Sequence, residues 1–175
     1  MNSDAKFARE FAKRAHGQQL YAEKYPFVDH LDLVYKTLEE FGIYSCDVLT
    51  SAYLHDVIED TEVTKETLGI FFNEDIVYLV DSVTVDDDRR KSLLRIAHRM
   101  ASDPRVEALK LADRLTNVRL AVKENTERIL RFYGSEHSIF RNGYGVKSSE
   151  SWVMESDARN MMRKELDSHL AEWTE

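Results

Sequence analysis

Apolar residues recur at helical spacing along most of the chain, and only two prolines, Pro26 and Pro104, and six glycines stand in the way of long helices. Phe7, Ala8, Phe11, Ala12 and Ala15 share one face of a first helix over 4–16. Leu31, Val34, Leu38 and Phe41 share one face of a second, which starts near Val28 and stops at Gly42. Ser45 is placed to cap a third helix running to about Val57. Two shorter helices follow, from Thr64 and over 75–83, then a charged helix over 86–100. Ser102-Asp103-Pro104 opens another that continues through Val122; the pattern resumes over 125–132 and closes with a helix over 157–173. Glycines and serines over 134–151 predict a looser stretch. No segment keeps strand alternation for long, so the expected fold is all-α, a single compact multi-helix domain over 1–175.

The net charge of −8 argues against a broad nucleic-acid surface, which needs a basic face to displace counterions. A small phosphorylated ligand remains open, held by a local basic pocket, a divalent metal or both. No apolar run approaches the ~18 residues of a membrane span, and the N-terminus has no signal-peptide stretch. The lone cysteine, Cys46, forms no intrachain disulfide and reads as a half-buried helix residue in a reducing, cytoplasmic setting. Oligomeric state is not legible.

Against this pattern, ‘LTSAYLHDVIEDT’ (49–61) ends a core helix in a burst of acid. Such crowding usually holds a cation or moves a proton. His55 and Asp56 are adjacent; His30 lies near the start of the second helix; Asp113 sits beside the buried stripe of Val106, Leu109, Ala112 and Leu115. Two imidazoles and two carboxylates suit Mn²⁺, Fe²⁺, Co²⁺ or Zn²⁺. Glu59 and Asp60 lie just beyond, where a carboxylate can position a water and shuttle its proton. Spacing alone leaves a plainer reading level with this one: satisfied core histidines, an Asp113–Arg114 ion pair and a solvated acidic loop.

The order of the pieces, ‘H…HDVIEDT…LKLADRLTNVR’, resembles the HD-domain phosphohydrolases, in the branch of SpoT/RelA-type and small alarmone hydrolases that act on (p)ppGpp. ‘AREFAKRAHGQ’, ‘YPFVDHLDLV’ and ‘RILRFYGSEHSIFRNGYG’ are similar to further segments of that branch, so the likeness covers roughly residues 5–144. The resemblance implies metal ligation by His30, His55, Asp56 and Asp113, typically of Mn²⁺, and water activation by Glu59 and Asp60. It places Asn117 in the nucleotide pocket and Thr84 near the site. Arg114 is expected to pair with a neighbouring helix instead; ‘DDDRRK’ (86–91) reads as a solvated helix start, with Arg89 or Arg90 reaching a ligand as the alternative.

One departure matters. After the opening Gly-Gln, such hydrolases carry an Arg-Lys pair facing the substrate phosphates, whereas here Leu20-Tyr21 or Tyr21-Ala22 stands in those places. Lys24 is the one basic residue left before Pro26, with Arg14 another candidate substitute; Tyr21 or Tyr25 offers a ring for a base or ribose. The expected function is metal-dependent removal of the 3′-pyrophosphate of (p)ppGpp. The alternatives are hydrolysis of another nucleotide or phosphorylated metabolite, and a non-catalytic nucleotide sensor.

Overall fold

The computed structural model of the protein describes residues 2–141 and 153–174, with the backbone alone over 153–156. In chain order the helices are α1 (Ser3–His16), α2 (Phe27–Glu40), α3 (Cys46–Leu54), α4 (Val57–Asp60), α5 (Lys65–Phe71), α6 (Glu74–Val83), α7 (Arg89–Ser102), α8 (Pro104–Lys123), α9 (Glu127–Arg141) and α10 (Val153–Leu170). Between α1 and α2 a short antiparallel hairpin pairs β1 (Leu20–Tyr21) with β2 (Tyr25–Pro26). The all-α expectation holds, with this hairpin as the addition. Its turn places Ala22 and Glu23 at φ of 51° and 59°, a left-handed conformation that side chains disfavour, and pairs Tyr21 with Tyr25.

Local chemistry fixes many helix starts. Side chains of Asn2, Thr64, Asn73, Asp88 and Asp103 each accept a backbone N–H in the first turn of α1, α5, α6, α7 and α8, and Pro104 opens α8 where no N–H is needed. Ser45 takes the capping position of α3 without a side-chain bond, and Cys46 beside it is exposed, not half-buried.

The centre of the molecule is α8, which packs against α2, α3, α6, α7, α9 and α10. Every residue from Val106 to Thr116 is buried, so α8 is covered on all sides over these turns rather than striped. Two features depart from the sequence expectation. The third helix stops at Leu54, and a separate turn, α4, follows His55 and Asp56. The stretch over 134–151 is helical as far as Arg141. Gly134 is no loop glycine: a Cβ there would overlap the backbone of Trp173, so it lets α9 approach the chain just after α10. The rest of that stretch, 142–151, and Trp152 lie outside the described residues.

Candidate active site

Adjacent residues of a continuous helix diverge around its axis, so His55 and Asp56 could not both face one point if α3 ran on. The break resolves this. His55, the residue just past the end of α3, keeps helical backbone angles, and Asp56 turns out at φ −102°, ψ −3° before α4 begins. His30 comes from α2 and Asp113 from α8. The four side chains converge. His30 Nε2 lies 3.3 Å from His55 Nε2, 3.5 Å from Asp56 Oδ2 and 3.5 Å from Asp113 Oδ1. His55 Nε2 lies 3.0 Å from Asp56 Oδ2 and 3.7 Å from Asp113 Oδ1.

This set fits a cation. His55 Nδ1–H donates to the Ala52 carbonyl at 2.9 Å, which leaves Nε2 as a lone pair aimed at the other three donors. Ligands about 2.1 Å from one ion sit roughly 3.0–3.4 Å apart at right-angle or tetrahedral positions; the 3.0 and 3.3 Å separations fall in that range and the other three exceed it slightly. His30, His55 and Asp56 alone place one donor atom each within 4.8 Å of one another. Electrostatics agrees. Burial works against protonated His55, yet Asp56 and Asp113 outweigh it and raise its proton affinity well above that of a free imidazole. Burial would likewise neutralise Asp113, but Lys110 and the two histidines hold it well below the usual carboxylate range. The acids therefore draw positive charge to this point, and a metal ion would displace the protons that answer the same pull.

Lys110, three residues before Asp113 on the same face of α8, is the main feature the sequence reading missed. Its Nζ donates to Asp113 Oδ2 at 2.9 Å, leaving Oδ1 to face the imidazoles. Burial opposes its charge, but Asp113 and Glu59 keep it cationic. Its signal was the helical spacing itself.

His30, Asp56 and Asp113, with His55 behind them, line a cleft of about 250 Å³ that Glu59, Asp60, Tyr21, Asn117, Arg89 and Glu136 also line. Glu59 Oε2 accepts the Val85 N–H at 2.8 Å, so its other oxygen is free. Loss of hydration, with the charge of Asp56 beside them, raises both rim acids, Asp60 to about 6. Gln19, whose Oε1 lies 2.8 Å from His16 Nδ1, bonds Asp60. His16 is thus structural, stacked on Phe27 with ring centroids 4.1 Å apart. Asn117 donates to the Asp113 carbonyl and carboxylate at 3.0 and 2.7 Å and accepts from the Tyr21 hydroxyl at 3.0 Å. A second hollow of about 380 Å³ adjoins the cleft across Tyr21, Asn117, Phe132 and Tyr133.

Two expected site residues are elsewhere. Thr84 bonds Val80 O from the end of α6 and does not line the cleft; the neighbouring Val85 does. Lys24 is 61% exposed, pairs with Glu124 at 3.0 Å and lines neither hollow, because an acid from the end of α8 has already taken its charge. Arg114 pairs with the neighbouring helix as expected: Nη1 meets Glu136 Oε2 at 3.3 Å and Nη2 meets Tyr133 O at 3.0 Å, both on α9.

Comparison with known proteins supports the geometry. Residues 8–142 match the family model described as HD domain. The guanosine-3′,5′-bis(diphosphate) 3′-pyrophosphohydrolase MESH1 of Xenopus tropicalis is 36% identical over 128 residues, covering 68% of this chain and 72% of that protein. A guanosine-3′,5′-bis(diphosphate) 3′-pyrophosphohydrolase of Aquifex aeolicus is 36% identical over 118 residues, 64% of this chain but 17% of that longer protein. The chain thus spans under a fifth of some curated relatives that it matches. A solved structure described as a metazoan ortholog of SpoT that hydrolyzes ppGpp superposes with a TM-score of 0.77 at 25% identity, covering 98% of this chain and 96% of that one. No helix among the described residues is long and apolar enough to cross a membrane.

Proposed function

This chain belongs to the HD domain family, and from that premise we propose that it is a metal-dependent hydrolase removing the 3′-pyrophosphate of guanosine 3′,5′-bis(diphosphate), (p)ppGpp. The observation that carries the reading is the two-imidazole, two-carboxylate cage with Glu59 and Asp60 at its rim. His30, His55, Asp56 and Asp113 would hold the ion; the donor set suits Mn²⁺, Fe²⁺, Co²⁺ or Zn²⁺, and the likeness to alarmone hydrolases supports Mn²⁺. A divalent cation there polarises phosphoryl oxygen and acidifies water. Asp60 and the free oxygen of Glu59 orient the attacking water and take its proton. A new O–P bond forms at the 3′ phosphorus, and the ribose 3′-oxygen leaves carrying a proton relayed from these acids. Lys110 fixes Asp113, while Tyr21 and Asn117 close the side of the cleft that receives the nucleoside. Burial and the nearby carboxylates keep Tyr21 a neutral phenol, so it remains a donor.

We take residues 1–175 as one such catalytic domain, acting in a cytoplasmic setting where its exposed Cys46 stays reduced. The test is hydrolysis of ppGpp with Mn²⁺ beside a panel of ordinary nucleotides, with Asp56→Ala as the blank. GDP and pyrophosphate from ppGpp alone support the proposal. The second reading, another nucleotide substrate, is favoured by Tyr21-Ala22 in the hairpin where an Arg-Lys pair would face phosphates; turnover of a different panel member selects it. Binding without turnover selects a sensor.

A further inference from the structure

We infer that Arg89, at the first position of α7, is the phosphate-binding cation of this cleft, in place of the Arg-Lys pair that the hairpin lacks. The inference rests on the hydrolase reading and names the group that gives it a polyanionic substrate. Three cationic side chains line the cleft: Arg89, Lys110 and Arg114. Lys110 is buried against Asp113. Arg114 is 2% exposed, with Nη1 and Nη2 engaged by Glu136 and Tyr133 O and its guanidinium over the rings of Tyr133 and Phe140. Although Arg114 Nε is buried without a hydrogen-bond partner among the described residues, neither turns an open fork of donors to the cleft.

Arg89 does. Its side chain is 45% exposed, and its Nε donates to Glu136 Oε1 at 2.7 Å. Its guanidinium carbon lies 4.7 Å from the centre of the Phe132 ring. The carboxylate and ring hold the guanidinium plane, while Nη1 and Nη2 have no partner among the described residues. A guanidinium anchored on one edge and open on the other can grip a phosphate with two parallel bonds. Its anchor is firm, because Glu136 is buried and held through its second oxygen by Arg114. The substrate needs such a group: Asp56, Glu59, Asp60, Asp113 and Glu136 all line the cleft, and a divalent ion offsets only part of their charge.

The test compares Arg89→Gln with Lys91→Gln, which removes the same charge from an exposed site on α7, both loaded with Mn²⁺. Two readouts are taken: steady-state kinetics on ppGpp and calorimetric titration with inorganic pyrophosphate. Losing one charge-assisted grip predicts a KM raised roughly 10- to 100-fold and pyrophosphate bound weaker by a similar factor, with metal content unchanged. Lys91→Gln should stay within twofold. Arg89→Lys should recover part of the loss, since lysine keeps the charge without the fork. If wild type turns over no ppGpp but Arg89→Gln still loses pyrophosphate affinity, the substrate assignment falls and the role of Arg89 stands. If ppGpp is hydrolysed and Arg89→Gln leaves both readouts within twofold, or matches Lys91→Gln, the inference is overturned.

Discussion

Replacing Glu107 by leucine should loosen α10 from the helix that carries Lys110, Asp113 and Asn117. Glu107 is fully buried on α8. Its Oε2 accepts from Arg159 Nε at 3.0 Å, and its Oε1 from Arg163 Nε at 2.8 Å and from Arg163 Nη2. The Arg159 side chain is 3% exposed and that of Arg163 17%. Leucine replaces most of the lost volume, so cavity formation is secondary. The cost is Arg159, stranded without a counter-charge or a path to water, and removing one partner of such a pair costs about 3–5 kcal/mol. Arg163 can turn its guanidinium to solvent, so Arg163→Gln should cost only about 1 kcal/mol. For a chain of this size each kcal/mol lowers Tm by roughly 2–4 °C, which predicts a fall of about 6–20 °C for Glu107→Leu. Urea titration and calorimetry read the global change. Fluorescence of Trp173 in a Trp152→Phe background reads α10 itself. The double variant Glu107→Leu, Arg159→Leu should recover much of the loss, because an apolar pair of similar volume needs no desolvated charge. A loss below about 1 kcal/mol, or equal losses for Glu107→Leu and Arg163→Gln, would refute the reasoning.

Asp60→Asn should lower kcat on the order of 10²–10⁴-fold with metal content intact. With Asp60 raised to about 6, a protonated and useless acid accumulates as pH falls through that value; a bound cation would pull the limb downward, so kcat should rise with pH with its midpoint at or below about 6. An unchanged acid limb in the variant would remove Asp60 from the proton path. Tyr21→Phe deletes the bond to Asn117 at 3.0 Å, worth about 1 kcal/mol, and should raise KM by up to roughly fivefold with little change in kcat. An unaltered KM would mean that Asn117 is positioned without it. Gly134→Ala forces a methyl into the backbone of Trp173 and should cost about 1–3 kcal/mol in thermal unfolding.

The candidate cage was only partly legible: spacing left satisfied core histidines and a solvated acidic loop level with it, and the order of the motifs, by its resemblance to the alarmone hydrolases, singled out His30, His55, Asp56 and Asp113. The break between α3 and α4 was not legible, since a two-residue turn after Leu54 leaves the apolar spacing nearly intact. Lys24 was misplaced for a different reason. Its partner Glu124 lies at the far end of α8, and no local pattern announces a contact between such distant positions. Glu136 was hidden in the same way, holding Arg89 and Arg114 from α9. Gly134 was read as a sign of loop because glycine is ambiguous in sequence: it marks a bend or a close approach, and only the position of Trp173 decides between them. The Arg114 pairing was readable because an arginine on a covered helix face must find an acid or a carbonyl.

The cage also has a temporal meaning. His30, His55 and Asp56 precede Asp113 by long stretches of chain, so a polypeptide emerging from its N-terminus carries three donors well before the fourth. Those three come from α2 and the turn after α3, and the fourth donor joins them only when α8, carrying Asp113 and its partner Lys110, packs among its neighbours. On the proposed ligation, full metal affinity would belong to the finished molecule, and metal content would measure how much of a preparation has completed folding.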